Sequence, residues 1–272
     1  MIRDITLGQY FPGASFLHRM DPRAKILLLV VYVVTLFLAQ SVAAYLLLIL
    51  STALLIGLTR ISLKFYLRGL KPLLFIMVFT ALLNMLYSEG EPLFEFWVFS
   101  VSTEGILKAV FMVIRIVMMV LVMSVLTYTT SPLLLTGGLE RLLYPLSVLK
   151  VPVHDFAMMM TIALRFIPTL LEETEKIMNA QRARGASFST GSLINRAKAL
   201  IPILIPLFVS AFNRAFDLAS AMECRCYHGD EGRTRLRVLH YRASDLVAVL
   251  LMLSFGVGVF FLNRLGIGPH LS

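Results

Sequence analysis

Five stretches of this chain, at roughly 26 to 42, 44 to 59, 70 to 87, 105 to 127 and 245 to 263, approach the length of about 20 mostly apolar residues that a helix needs to cross a bilayer. No soluble fold of ordinary size accommodates that much uninterrupted apolar sequence. Of the 272 residues 58% are hydrophobic and 15% are charged, against roughly 25% charged in an average globular domain. The expected fold is an all-α integral membrane protein with about five transmembrane helices. The segment from 131 to 243 differs, being apolar but regularly interrupted by charge. Three regions follow: 1–130 with four membrane helices, 131–243 with long amphipathic helices, and 244–272 with a last span.

The opening residues MIRDITLGQYFPGASF lack the basic start, apolar run and small-residue cleavage site of a secretory signal, so no removal is expected. The net charge of +9 raises the question of nucleic acid. However, the basic residues cluster beside span ends, without interleaved stacking aromatics, and no nucleic-acid partner is expected. Positive-inside topology accounts for them. Arg19, Arg23 and Lys25 precede the first span, and Arg60, Lys64, Arg68 and Lys71 fill the second connection. The third loop carries Glu89, Glu91, Glu95 and Glu104 with no Lys or Arg, and places Trp97 near the interface. The N-terminus and the 131–243 segment are therefore expected on the cytoplasmic side of a cell membrane. The C-terminus is expected outside, with Arg264 running against the rule.

In HRMDPRAK, Asp21 is a good N-cap and Pro22 suits the first helical position, where a missing N–H costs nothing. A helix start combined with a topology signal explains this stretch.

From His154 to Arg184, Phe156, Met160, Leu164, Ile167, Leu171 and Met178 recur at helical spacing. This predicts one long amphipathic helix, with Pro168 as a bending point and Glu172 four residues before Lys176 as a supporting pair. Gly185 sits where a left-handed terminal residue is favoured, which presents Arg184 at a helix tip. Pro202 and Pro206 each remove a donor and disfavour helix in the residue before. They predict a short helix at about 193 to 200, a reversal, and a second long helix from about 206 to 226 that carries Arg225. Both tips are then expected to point the same way, like a two-pronged plug. A cation at a helix C-terminus is worth roughly 0.3 to 1 kcal/mol through the macrodipole alone, which is reason enough for one arginine. Two tips with similar flanks, NAQRARGAS and SAMECRCYH, point to docking, because the guanidinium fork suits an acidic groove on a partner.

With PGASFLHRMDPRAK, LRFIPTLLEETEKIMNAQRARGA and AMECRCYHGDEGRTRLR in this order, the chain resembles, over essentially its whole length, the T component of energy-coupling factor transporters. That resemblance implies a membrane coupling subunit of a vitamin or metal-ion importer, non-catalytic and without a cofactor of its own. Its implied partners are two ATP-binding-cassette ATPase subunits, a substrate-binding membrane subunit (the S component) and the surrounding lipid. It further implies that two long helices each end in an Ala-Arg-Gly type motif seated on one ATPase. Ala183, Arg184 and Gly185 match that motif fully. Cys224, Arg225 and Cys226 keep only its arginine, and Cys226 tolerates a left-handed backbone less well than Gly, so that helix ends either there or nearer Gly229. Asp21, Pro22, Arg23 and Glu223 belong to the accompanying signature. The sequence contains no GxxxxGK[ST] phosphate loop, in keeping with ATP chemistry in another chain.

Other readings rest on fewer residues. Cys224, Cys226 and His228 could be taken for metal ligands, but a structural zinc site needs four with fuller spacing. A disulfide between such close cysteines in a reducing compartment is not expected either. Arg115 lies inside the fourth span, where a charge pairs structurally or serves function. Met112, Met118, Met119, Met123, Met158, Met159 and Met160 form either ordinary packing or an adaptable docking surface for the substrate-binding subunit. A stand-alone polytopic enzyme lacks HExxH, GxSxG or paired carboxylates within a span. A channel or self-sufficient transporter lacks broken spans and ionisable midplane sites.

Overall fold

The computed structural model describes residues 10–87, 92–96, 99–186, 188, 192–229 and 241–264. Trp97, Glu89, Glu91 and the basic stretch after Gly229 lie outside the described residues. Two compact units divide the chain: Gly8–Gly138 with Leu239–Ser272, and Leu139–Val238 with Met1–Leu7.

The first unit is a bundle of apolar helices. After a single turn, α1 (Phe16–Arg19), come α2 (Pro22–Leu38), α3 (Val42–Thr59), α4 (Leu63–Leu70), α5 (Leu74–Tyr87), α6 (Thr103–Thr129) and α10 (Ala243–Arg264). A 3-10 turn at Lys71–Leu73 joins α4 to α5. Helix α6 packs against α2, α3, α4 and α5, and α10 closes against α2 and α3. The core centres on Tyr32, Leu36, Tyr45, Leu48, Met118 and Val259. Its few polar groups are satisfied internally, as a bilayer requires: the Tyr66 hydroxyl donates to Thr59 Oγ1 at 3.0 Å, and Thr59 Oγ1 donates to the Ile56 carbonyl. Asn263 of α10 closes the α2–α3 connection, accepting from the backbone N–H groups of Gln40 and Ser41 and donating to the Leu38 carbonyl.

Among the described residues, five helical segments are long and apolar enough to cross a membrane: Val42–Thr59, Leu63–Met85, Gly105–Thr129, Lys198–Glu223 and Ala243–Arg264. The number equals the sequence expectation but the membership differs. Helix α2 has 17 residues, about 25 Å of helix against a hydrocarbon core of about 30 Å, whereas α9 (Leu193–Glu223) is longer than anticipated. The loop between α5 and α6 holds something the sequence reading did not anticipate, a two-stranded antiparallel ribbon of Pro92–Phe96 and Phe99–Ser102.

The second unit is dominated by two 31-residue helices, α8 (Val153–Ala183) and α9 (Leu193–Glu223). They are preceded by α7 (Pro132–Leu143), which carries the chain over from the first unit, and a 3-10 turn at Tyr144–Leu149. His154 Nδ1 lies 2.9 Å from Glu140 Oε1 and ties the start of α8 to the end of α7.

Helix α9 corrects the expected break. It runs without interruption through Pro202 and Pro206, so there is no short helix followed by a reversal. The two prolines are four residues apart. The donor missing at Pro206 would have served the carbonyl of Pro202, so the lost bonds fall in one row along one side of the helix. Prolines so placed are tolerated when an apolar helix has packing to hold it.

Candidate functional site

The two helix ends singled out from the sequence share one backbone geometry. At the end of α8, the Gly185 N–H donates to the Arg182 carbonyl at 2.9 Å and the Ala186 N–H to the Gln181 carbonyl at 3.0 Å, with Gly185 at φ +90°. At the end of α9, the Cys226 N–H donates to the Glu223 carbonyl at 2.9 Å and the Tyr227 N–H to the Met222 carbonyl at 3.1 Å, with Cys226 at φ +54°. Both are Schellman terminations, in which a left-handed residue lets two N–H groups return to carbonyls the helix has left free. Arg184 and Arg225 hold the equivalent position, each immediately before the left-handed residue. The left-handed turn of the second end is thus at Cys226, not nearer Gly229, and replacing Gly by Cys does not change the path of the chain. What it changes is energy, because a left-handed conformation costs a non-glycine residue about 1 kcal/mol or more.

Ala183, Arg184, Gly185, Glu223, Cys224, Arg225 and Cys226 are all exposed. Neither arginine side chain makes a hydrogen bond or ion pair with another described residue. Both cysteines are free thiols.

The second correction concerns direction. Glu173 of α8 accepts from Ser210 Oγ at 2.6 Å and from the Arg214 guanidinium at 2.7 Å, both on α9. Nearer the start of α8, Ile162 and Phe166 share a small apolar crevice with Leu218 and Met222. The Tyr227 hydroxyl lies 3.0 Å from Met158 Sδ. As numbers fall along α8 they rise along α9, so the two helices form an antiparallel hairpin. Arg184 and Arg225 therefore sit at opposite ends of it, not side by side on parallel prongs. About 25 residues of helix at 1.5 Å each place them roughly 37 Å apart. The fork expected from the sequence depended on the break at the prolines, and it disappears with it.

Glu173 is held below the usual carboxylate range by the Ser210 hydroxyl first and by Arg214 in addition. Nothing local marked this three-way contact in the sequence; Glu173 looked like one more solvated acid in LLEETEK. On its outer side α9 presents Leu204, Phe208, Phe212 and Phe216, a stripe at four-residue spacing, all strongly exposed.

The N-terminal signature is built into the other unit. Asp21 is buried and caps α2, its carboxylate accepting from the Arg23 N–H at 2.9 Å. Pro22 occupies the first helical position. The Arg23 guanidinium lies 5.0 Å above the Tyr241 ring. Lys25, missed as a structural residue, is buried, and its Nζ donates to the Thr129 carbonyl at 3.0 Å and to Thr130 Oγ1 at 2.9 Å. Asp245 of α10 accepts from the Asp21 N–H and from the Arg242 N–H. One polar junction thus joins the starts of α2 and α10 to the end of α6. Arg115 has structural partners: its guanidinium donates to the Tyr45 hydroxyl and the Ala39 carbonyl, and lies over the Phe37 ring. Of the methionines, Met118 is buried in the core, while Met112, Met123, Met159 and Met160 are exposed.

A family model described as CbiQ, cobalt transport protein, matches residues 13–236. The energy-coupling factor transporter transmembrane protein EcfT of Ruminiclostridium cellulolyticum is 50% identical over 263 residues, covering 97% of this chain and 96% of its own. The chain belongs to the CbiQ family. Other relatives of this CbiQ-family chain carry the same description. EcfT of Acidaminococcus fermentans is 50% identical over 97% of this chain and 98% of its own, and EcfT of Bacillus subtilis 45% identical over 97% and 100%. This CbiQ-family protein is accordingly a membrane-embedded T component of an energy-coupling factor transporter, and the arginine-bearing ends and the N-terminal signature both fall inside the matched residues.

Proposed function

We propose that this T component is the non-catalytic coupling subunit of an importer, transmitting movement from two ATP-hydrolysing partner subunits to a substrate-binding membrane partner that takes up a vitamin or a metal ion. Arg184 and Arg225 are the contacts, each offering a guanidinium fork to acidic groups on one ATPase. The observation that carries this reading is the matched pair of terminations, which present the same side chain in the same backbone setting at the two ends of one hairpin. A separation of roughly 37 Å suits two separate partner subunits better than one.

The hairpin lies at the cytoplasmic face in this reading. Helix α9 is apolar enough to cross a membrane, but α8, paired along its length, carries Asp155, Arg165, Glu172, Glu173, Glu175, Lys176 and Arg182, each costly in hydrocarbon. The exposed stripe from Leu204 to Phe216 then rests on the membrane surface or on the substrate-binding partner. With α2, α3, α4–α5, α6 and α10 as spans, the N-terminus is cytoplasmic and the C-terminus outside, an orientation that the distribution of Lys and Arg supports.

The test is Arg184→Glu combined with Arg225→Glu, with the tagged chain purified from its own membrane in mild detergent. ATPase subunits are expected to co-purify with the parent chain and to be lost from the double variant, with membrane insertion unchanged. ATPases recovered at parental stoichiometry with the double variant would remove both arginines from the interface.

A further inference from the structure

A cavity of about 320 Å3 lies among α2, α3, α6 and α10, with Phe16 and Leu17 of α1 and Met20 after it also in its lining, and no part of the coupling role uses it. Each of the four helices lines it with a stretch of the same length, residues 25–32, 51–58, 122–129 and 248–255. Seven steps at 1.5 Å make each stretch about 10 Å long, so the space is a slot parallel to the helices, two turns deep.

Its walls are leucine, valine, methionine and phenylalanine, and the polar groups that reach it are already engaged. Lys25 donates to Thr129 and Thr130, the Tyr32 hydroxyl is bonded to Thr52 and to the Leu48 carbonyl, Ser51 Oγ donates to the same carbonyl, and Thr129 Oγ1 donates to the Val125 carbonyl. A water molecule needs two to four polar partners to reside in a cavity, and this slot is lined almost wholly by apolar side chains, its few hydroxyls donating within their own neighbourhood. Left empty, its lining would lose dispersion contacts outright.

The slot is open to one side. At its rim Leu54 and Leu251 are both 65% exposed and Leu58 is 43% exposed. These residues belong to α3 and α10, two of the helices apolar enough to cross a membrane. The opening is therefore continuous with a lipid-facing surface, and what stands outside it is hydrocarbon. The Lys25 and Thr129 end is where α2 and α10 begin and α6 finishes, so it is the end nearest the membrane surface.

We propose that the slot binds one acyl chain of a membrane phospholipid, lying parallel to the four helices with its ester end toward Lys25. The lipid acts as a removable piece of the core, filling the space that side chains leave among α2, α3, α6 and α10. The ionic groups at the Lys25 end, Lys25 and Arg23 with Asp21 and Asp245, balance one another. Selection is therefore for the hydrocarbon and not for headgroup charge.

The full chain, purified in dodecyl maltoside with the partners that accompany it, provides the test. Native mass spectrometry is expected to find one phospholipid per chain that resists detergent washing. After exhaustive delipidation, the thermal midpoint should rise by several degrees on adding either dioleoylphosphatidylcholine or dioleoylphosphatidylglycerol. Val125→Phe, and separately Leu29→Phe, fill the slot; both should retain no lipid and show no such rise. Equal lipid retention by the parent and both variants would overturn the proposal, as would retention of detergent only. A response confined to the anionic lipid would overturn the hydrocarbon basis of selection.

Should both variants fail to fold, Phe255→Trp in a Trp97→Phe background gives an independent reading. In vesicles of dibrominated phosphatidylcholine its fluorescence is expected to be quenched as strongly as that of Leu250→Trp, at a lipid-facing position, in the same background. Absence of quenching at Phe255 with quenching at Leu250 would show that no lipid chain enters.

Discussion

Gly137 and Gly138 are neighbours in α7 and have opposite surroundings. A Cβ at Gly137 would meet nothing within 4 Å, whereas one at Gly138 would lie 3.1 Å from Pro22 Cβ and 3.5 Å from the Arg23 nitrogen. Gly137→Ala should therefore stabilise the protein by up to about 1 kcal/mol, the helix-propensity difference. Gly138→Val should destabilise it by about 1 to 3 kcal/mol through overpacking. Thermal unfolding of the two variants in the same detergent measures both signs at once. At this scale the sequence was legible where a residue acts on its immediate neighbours. Asp21 and Pro22 could be read as a helix start because capping involves groups two or three positions away. Lys25 could not be placed, since its partners are Thr129 and Thr130, and neither could Asp245, which accepts from Asp21 across 224 positions. To a reader of the sequence Lys25 was one of several basic residues before a span, and burial is what makes it structural.

The ends and pairing of α8 and α9 show where element-level reasoning succeeds and where it stops. The apolar repeat from Phe156 to Met178 gave α8 within a residue at each end, because periodicity and the glycine that follows are local signals. The same logic failed on α9. It charged each proline with a broken helix and had no access to the long contact with α8 that keeps the helix whole. It also left the α9 terminus open, since Cys226 is an unusual residue at φ +54°. Cys226→Gly should relieve that strain and stabilise the end by about 1 kcal/mol, measurable as slower amide exchange at Cys224 to Tyr227. The pairing itself has a pH signature. Because the Glu173 carboxyl is lowered relative to its unfolded value, its contribution is fully present above the usual glutamate range. It is lost as pH falls through the lower folded value. Protease sensitivity of the α8–α9 hairpin should accordingly rise on acidification below about pH 4, and Glu173→Gln should remove most of that dependence.

For the whole molecule, membrane residence and helical class were legible from composition and run length, since both are sums over many residues. The arrangement of the hairpin was not, because antiparallel pairing depends on which faces meet and the proline argument had already assigned the chain a turn it does not make. The arrangement is measurable directly. Spin labels at Ala183→Cys and at Cys226, with Cys224→Ser, should give a distance distribution centred at roughly 35 to 40 Å, the length of some 25 helical residues; a parallel fork would put them well inside that. With each arginine, Arg184 and Arg225, seated on its own ATPase as proposed, their opposite placement also decides what kind of motion the molecule can receive. A strut held at both ends cannot follow two supports that draw together by bending its tips independently. It must either tilt as one body or let its two limbs scissor about the crossing where Glu173 meets Ser210 and Arg214. If the two ends are held by two ATPase subunits as proposed, what enters the membrane part is a change in the spacing between two supports, converted into rotation.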